Sequence, residues 1–386
     1  MDRIDKLLAQ RKENGLLRFL RPANLRKDGK IYYDDAELFD FSSNDYLALS
    51  DHPKLKEASK RAVDSLGASA SASRLLSGDL KIHHQLEDKL AHFKGKESTL
   101  VFNSGYQANI GIISALYSKA DAVFCDRLSH ASIIDGVRLA GAKLFRFGHN
   151  DLDQLESLLK SQSRKFKNCL IVTETVFSMD GDKPPLKELV NIKAKYNCFL
   201  MVDEAHATGI FGSNGAGVVE EQGLSDRIEL IMGTFSKALG SFGAYLACSE
   251  KIKRYLINSC RSFIYSTALP PPIIAANIEA LNIVTDEPFR RKTLLANADY
   301  FRTQLRRQGC DVKGASQIVP LIVADTDKAT RLSLLLQQSG YWVLPIRPPT
   351  VPQGQARLRF SLTYHHTKQL LEKLADRIAE LMQSKK

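Results

Sequence analysis

The chain has 386 residues, with 54 Lys and Arg against 43 Asp and Glu and a formal net charge of +11. Apolar residues at 44% and charged residues at 25% are typical of a folded globular protein and exclude a largely disordered chain. No zinc pattern, basic helix or aromatic–glycine RNA motif accompanies the basic residues. We therefore expect a phosphorylated substrate or an acidic carrier protein as the partner, and no nucleic acid.

The N-terminal segment Met1–Phe19 predicts an amphipathic helix, because apolar residues recur near helical spacing among charges. It has no continuous apolar region, so it does not resemble a signal peptide. Ile31–Phe41 alternates weakly and predicts a hairpin. The uncharged run Ser262–Ile278 is split by three prolines, and we expect no membrane span there.

The six cysteines are never two or three residues apart. This spacing disfavours a zinc site or a disulfide framework, and several cysteines lie in apolar runs. We therefore expect buried free thiols, no metal site and a cytoplasmic protein.

From about Asp51 onward, short apolar runs alternate with helical patterns. The predicted strands are Ser98–Phe102, Ala122–Cys125, Lys143–Phe147, Cys169–Thr173, Phe199–Val202, Leu230–Met232 and Ala244–Cys248. The predicted helices between them include Ile82–Phe93, Gln107–Leu116, Ile133–Ala140, Leu152–Ser161 and Leu186–Tyr196. This alternation predicts an α/β fold with a mostly parallel central sheet and helices on both faces.

A smaller C-terminal α+β domain is predicted after the prolines near residue 270. Its predicted elements are helices at Ile273–Val284, Phe289–Gln308, Lys328–Gln338 and Thr367–Gln383 and strands at Ile318–Val323, Trp342–Ile346 and Ala356–Leu362. The predicted organisation is an N-terminal helical arm (1–45), a large α/β domain (46–280) and the C-terminal domain (281–386).

Three short segments fall at the carboxyl ends of predicted strands, where sites lie in such sheets. Asp203 follows one apolar strand, Lys237 follows the next on a Gly/Ser/Thr-bearing turn, and Ser104–Gly105 begins a helix. Pyridoxal phosphate (PLP) needs a lysine amine, an anion at its pyridine nitrogen and a helix N-terminus for its phosphate. Taken singly, each residue also fits a structural role; together they favour a PLP site.

Four motifs resemble those of the α-oxoamine synthases, and the resemblance runs from about residue 16 to the C-terminus. The motifs are Leu128–Ile133, Thr173–Asp182, Val202–Gly209 and Thr234–Gly240. Members of this family are fold-type-I PLP enzymes that condense an amino acid with an acyl thioester and release CO2. The resemblance implies this fold, a PLP-dependent acyltransferase activity and a homodimer with shared active sites.

Three further stretches favour the branch of the family that condenses L-alanine with a pimeloyl thioester in biotin biosynthesis. They are Phe41–Leu49, Ala72–Gly78 and Arg347–Pro352. The pimeloyl carrier is CoA or an acyl carrier protein. The alternative is a sister synthase that uses glycine and a short acyl-CoA, as 5-aminolevulinate synthase or 2-amino-3-ketobutyrate ligase does. Departures from the family pattern occur at Ala68–Ala72, Glu204 and Ala207.

The resemblance also implies roles for single residues. Lys237, His130, Asp203 and His206 are expected to be catalytic, with Lys237 as the lysine that binds PLP and removes the α-proton. The expected cofactor-binding residues are Ser104, Gly105, Tyr106, His130, Ser178, Asp203, His206, Thr234, Ser236 and Lys237, with Ser266 and Thr267 reaching the phosphate in the partner subunit. The expected substrate-binding residues are Arg18, Asn44, His130, Thr350 and Arg359.

Arg359 shares one face of the predicted strand Ala356–Leu362 with Arg357, because side chains alternate along a strand. One interpretation is a half-exposed strand with two solvated arginines. The other is a guanidinium that holds the α-carboxylate of an amino acid through two parallel hydrogen bonds. The family resemblance assigns the second role to Arg359.

Overall fold

A computed structural model describes residues 2–14 and 16–383. Its first helix, α1 (Asp2–Glu13), is shorter than the predicted Met1–Phe19, and Met1 and Gly15 lie outside the described residues. No residue of α1 is buried, so no packing extends the helix beyond Glu13. The chain then forms β1 (Leu25–Lys27) and the predicted hairpin of β2 (Lys30–Tyr33) and β3 (Ala36–Asp40).

A seven-stranded sheet lies at the centre of the molecule. Its strands are β4 (Ser98–Phe102), β5 (Ala122–Asp126), β6 (Lys143–Phe147), β7 (Cys169–Glu174), β8 (Phe199–Asp203), β9 (Leu230–Thr234) and β10 (Ala244–Cys248). The spatial order is β4-β10-β9-β8-β7-β5-β6, and only the pairings of β10 are antiparallel. All seven strand predictions and the mostly parallel sheet are confirmed.

Helices surround this sheet. They are α2 (Pro53–Leu66), α3 (Lys81–Lys94), α4 (Gly105–Leu116), α5 (Ala131–Ala140), α6 (Leu152–Gln162), α7 (Leu186–Lys195), α8 (Val218–Glu221), α9 (Glu250–Ser259), α10 (Arg261–Ile264) and α11 (Pro271–Asp286). Alternate residues of one strand enter two separate apolar clusters: Leu200 and Val202 of β8 belong to one, and Met201 belongs to the other. Both faces of the sheet are therefore covered, which explains the continuous apolar runs.

The C-terminal residues form α12 (Pro288–Arg307), β11 (Ile318–Ala324), α13 (Thr326–Gln338), β12 (Tyr341–Trp342), β13 (Pro345–Ile346), β14 (Ala356–Ser361) and α14 (Lys368–Gln383). Strands β11, β14 and β13 make a small antiparallel sheet, whereas β12 pairs in parallel with β3 of the N-terminal hairpin. The prediction of one strand over Trp342–Ile346 is wrong, because two short strands enter different sheets. Pro345 lacks an N–H and restricts Leu344, which breaks a continuous ladder.

Within the described residues, no helix is long and apolar enough to cross a membrane. All six cysteines are free and buried, as the sequence predicts. The domain boundaries at residues 45 and 280 stay predictions.

Candidate active site

Polar side chains follow three neighbouring strands of the central sheet at their carboxyl ends. Strand β7 ends at Glu174, β8 ends at Asp203, and β9 ends at Thr234, three residues before Lys237. Glu174 pairs in register with Asp203, and Asp203 pairs with Met232 of β9. The parallel pairing therefore places these groups along one edge of the sheet.

Two donors orient the carboxylate of Asp203, which is 5% exposed. The Asn109 side chain donates to Oδ2 at 3.1 Å, and the backbone N–H of Ala205 donates to Oδ1 at 2.9 Å. Asn109 also donates to the hydroxyl of Ser132 at 2.9 Å. Asn109 was not predicted as a site residue, although it lies one helical turn after Gly105 in the segment that indicated a phosphate site.

Lys237 lies half-buried on the turn after β9. Burial lowers the pKa of its amine, and the carboxylates of Asp203 and Glu174 only partly oppose this effect. Such an amine loses its proton more readily than an ordinary lysine, which is the property that a Schiff-base lysine and a general base require.

Glu174 is a second buried carboxyl group near Lys237, and sequence reasoning gave it no role. Burial and the charge of Asp203 raise its pKa to about 8, against the opposing effects of Lys237 and a backbone hydrogen bond from His130. The group therefore keeps its proton to a higher pH than an ordinary glutamate. The only sequence signal was its place inside the motif Thr173–Asp182.

His206 is buried, and its Nδ1 lies 2.7 Å from the hydroxyl of Tyr46. Gln317 donates to the backbone carbonyl of His206 at 2.8 Å. Burial, followed by the positive charges of Lys237 and Arg359, holds the pKa of His206 well below its usual value. The ring is therefore neutral at physiological pH and acts through hydrogen bonds. Tyr46 and Gln317 were not predicted.

His130 caps the N-terminus of α5 and is exposed. Its Nδ1 accepts from the backbone N–H of Ser132 at 3.3 Å and lies 2.8 Å from the hydroxyl of the same residue. Desolvation lowers the pKa of His130, while Asp203 raises it. The cap fixes the ring near Tyr106, with ring centroids 6.1 Å apart.

The N-terminus of α4 lies against the end of β9. Ser104 caps the helix by accepting from the backbone N–H of Gln107 at 3.2 Å. A Cβ at Gly105 would come within 2.8 Å of the Thr234 side chain, so this approach requires glycine. The hydroxyl of Thr234 is buried and has no hydrogen-bond partner in the described part of the chain, while Ser236 is exposed nearby in sequence.

Arg359 of β14 reaches into the same region and is 8% exposed. Its Nε donates to the carbonyl of Ser178, and its Nη groups donate to the Asn44 side chain at 3.3 Å and to the hydroxyls of Ser361 and Tyr46 at 2.6 and 3.3 Å. Every one of these acceptors is neutral. Within the described residues this buried cation therefore has no carboxylate partner.

The interpretation of both arginines as solvated is wrong. Arg357 is 2% exposed, and its Nη1 donates to Asp180 at 2.7 Å and to the carbonyl of Met179 at 3.2 Å. Both arginines therefore donate hydrogen bonds to the turn after β7, but only Arg357 has an acidic partner there.

The other predicted residues lie further from this cluster. Arg18 and Thr350 are exposed, and no hydrogen bond or ion pair among residues 2–14 and 16–383 joins either to Lys237. The hydroxyl of Ser266 lies 2.7 Å from the Gln107 side chain, and Thr267 is exposed beside it. Their approach to a partner subunit stays a prediction.

Comparisons with known proteins place this arrangement in a family. The aminotransferase class I and II model matches residues 36–378. The 8-amino-7-oxononanoate synthase of Geobacter sulfurreducens is 45% identical over 97% of this chain and 96% of its own, and that of Geotalea daltonii is 45% identical over 95% and 94%. A serine palmitoyltransferase of S. paucimobilis with bound PLP and myriocin superposes with a TM-score of 0.94, at 30% identity over 99% of this chain and 98% of that one.

The chain belongs to the α-oxoamine synthases. The fold-type-I PLP architecture and the PLP cofactor predicted from the sequence are thereby confirmed for this member of the family.

The residues of this α-oxoamine synthase fit the cofactor. The unpartnered hydroxyl of Thr234 lies beside the N-terminus of α4, where backbone N–H groups and the helix dipole favour a phosphate. Lys237 has an amine of lowered pKa, and the carboxylate of Asp203, fixed by Asn109, would suit the pyridine nitrogen of the cofactor. The exposed ring of His130 is available for stacking on a flat cofactor.

Proposed function

We propose that this enzyme is an 8-amino-7-oxononanoate synthase, which joins L-alanine to a pimeloyl thioester and releases CO2 and the free carrier, either CoA or an acyl carrier protein. Relatives of this name that match nearly the whole chain support the proposal. In this function the site must hold an amino acid by its carboxylate, remove its α-proton, and position an acyl thioester beside the same carbon.

The observation that carries the proposal is the buried cation Arg359 with neutral partners only. Burying a charge without a counterion is costly, so such a group is expected to accept an anion from outside the chain. The two bonds to Asn44 are long, at 3.3 Å each, and an α-carboxylate replaces them with short charge-assisted bonds. The amino acid is thereby held by its carboxylate.

Lys237 then acts as the base. Burial lowers its pKa, so the amine gives up its own proton more readily than an ordinary lysine and can then accept the α-proton. PLP, when bound, supplies an electron sink for the charge that develops at the α-carbon. We assign the pyridine nitrogen to Asp203, the face of the ring to His130, and the ring oxygen and the reacting carbonyl to neutral His206. Ser178 is assigned to the cofactor and Asn44 to the substrate.

We assign the phosphate to the N-terminal turn of α4, with Ser104, Gly105, Tyr106, Thr234 and Ser236 around it. We propose a homodimer in which Ser266 and Thr267 reach the partner's phosphate and Arg18 and Thr350 contact the acyl substrate. Exposed apolar side chains close to these segments support a subunit interface: Leu76 is 80% exposed and Tyr265 is 73% exposed. Six free cysteines support a reducing, cytoplasmic location.

The experiment is a matrix of substrates. Purified enzyme with PLP is given L-alanine or glycine together with pimeloyl-CoA, a pimeloyl-carrier protein, acetyl-CoA or succinyl-CoA, and release of the carrier and the amino-ketone product are measured. Product from alanine and a pimeloyl thioester, well above every other pair, supports the proposal. A preference for glycine with a short acyl-CoA would overturn it.

A further inference from the structure

His149 lies between two turns that carry predicted site residues. It follows β6, and its side chain contacts the last residue of β5 on one side and the turn after β7 on the other. Its Nδ1 lies 3.2 Å from both carboxylate oxygens of Asp126, and its Nε2 lies 2.8 Å from Oδ2 of Asp182. Sequence reasoning gave none of these three residues a role.

The first turn leads to His130. Asp126 is the last residue of β5 and is fully buried. Its carboxylate accepts from the backbone N–H groups of Leu128 and Asn150, both at 2.8 Å. Leu128 lies two residues before His130, the N-cap residue of α5. The position of the Asp126 carboxylate therefore fixes the backbone that leads into this helix.

The second turn carries Ser178. It is closed by backbone hydrogen bonds from Gly181 to Phe177 at 2.8 Å and from Phe177 to Asp182 at 3.0 Å. The His149 ring stands edge-on to the ring of Phe177, with centroids 4.4 Å apart. The same turn presents the Ser178 carbonyl to Arg359, so its position also sets the position of the guanidinium.

The charge state of His149 follows from these contacts. Each ring nitrogen faces a carboxylate oxygen, and only the imidazolium form can donate from both nitrogens. Burial lowers the pKa of His149, but the hydrogen bonds and charges of Asp126 and Asp182 outweigh it and raise the pKa to about 10. The ring is therefore a cation at neutral pH, and it bridges the side chains of Asp126 and Asp182.

We propose that His149 is a positioning residue that bridges Asp126 and Asp182. The bridge holds the turn of His130 and the turn of Ser178 at the separation that the cofactor and the amino-acid carboxylate require. The part that concerns the amino acid rests on the proposed function, whereas the part that concerns PLP rests on family membership. A bridge of this kind acts at a distance from the reacting atoms, through the geometry of the groups that contact them.

The test compares His149→Phe, which removes both donors, with His149→Gln, which keeps one uncharged donor group. His84→Phe is the matched control, since His84 also pairs with an aspartate, Asp79, at 2.7 Å but on the surface. For each protein the dissociation constant of PLP, the L-alanine dependence of the cofactor's visible spectrum and the melting midpoint are measured. We expect His149→Phe to weaken PLP or alanine binding on the order of tenfold, His149→Gln to lose less, and His84→Phe to match the wild type.

Wild-type affinities for PLP and alanine in His149→Phe would overturn the proposal, even if its melting midpoint were lower, because that result indicates a purely structural role. If His149→Phe does not fold, Asp182→Asn takes its place, and the same loss of affinity is expected from it. A wild-type enzyme that binds PLP but gives no response to alanine would contradict the proposed function instead, and PLP affinity would still decide the role of His149.

Discussion

Replacing Arg359 by alanine is expected to weaken L-alanine binding by about 2–5 kcal/mol, or roughly 30-fold to 5,000-fold. The upper part of this range is reached only when the charge pair is shielded from water, and Arg359 is 8% exposed. The guanidinium now donates only to neutral acceptors, and two of these hydrogen bonds, each 3.3 Å long, go to the same Asn44 oxygen. Little binding energy is therefore lost when a carboxylate replaces them. The cofactor should stay bound, because none of the groups assigned to it is removed.

The assay is a titration of each variant with L-alanine, followed by the visible absorption of the cofactor. Arg359→Lys should recover only part of the affinity, since an ammonium cannot form two parallel bonds to one carboxylate. Arg357→Ala is the matched control, because this neighbouring buried arginine is already paired with Asp180. It should lower the melting midpoint with much less effect on alanine affinity. An Arg359→Ala enzyme that binds alanine as tightly as the wild type would refute the assignment.

Four further changes test other parts of the site and fold. Lys237→Ala should lose its borohydride-reducible lysine adduct and nearly all turnover while it keeps its fold; persistence of the adduct would contradict the assignment. Asp203→Asn keeps the shape of the side chain but removes its charge, so turnover should fall by orders of magnitude with PLP still bound, and α-proton exchange of alanine at the wild-type rate would disprove the role. Lys94→Met leaves Glu204 buried without its cation, and urea denaturation should show a loss of about 3–5 kcal/mol, whereas an unchanged free energy of unfolding would show that the pair is neutral to stability. His149 has a raised pKa of about 10, so its contribution to the stability of the fold is present below about pH 6.5 and is lost as the pH rises through 10. The free energies of unfolding of wild type and His149→Phe should therefore converge between these pH values. A constant difference would be evidence against the bridge.

The strands were predictable because both faces of the central sheet are covered, which makes every central strand a continuous apolar run. The observed strands β5, β7, β8 and β9 each extend one or two residues beyond the predicted end. The added residues include Glu174, Asp203 and Thr234, which are polar but continue the backbone ladder. Apolar periodicity cannot detect a ladder residue whose side chain belongs to a site.

Lys237 and Asp203 could be found from sequence because each follows an apolar strand, at the end where sites lie in such sheets. Tyr46 and Gln317 could not, because they contact His206 from segments that are distant in sequence and that only tertiary packing brings together. The burial of Arg357 could not be predicted for the same reason: its acidic partner lies on the turn after β7. The role of Glu204, a departure from the family pattern, could not be predicted either, because its carboxylate pairs with Lys94 of α3, which is distant in sequence.

The position of Arg359 has a consequence for the order in which the site is made. Strand β14 is synthesised long after β8 and β9, so a nascent chain that has just emerged through β10 contains Asp203 and Lys237 but lacks Arg359, the group proposed for the amino-acid carboxylate. Under that proposal, the enzyme binds an amino acid only after the last strand docks against the turn after β7, through the contacts of Arg357 and Arg359. Substitutions that loosen this late segment are therefore expected to weaken amino-acid binding while Asp203 and Lys237 keep their places in the central sheet.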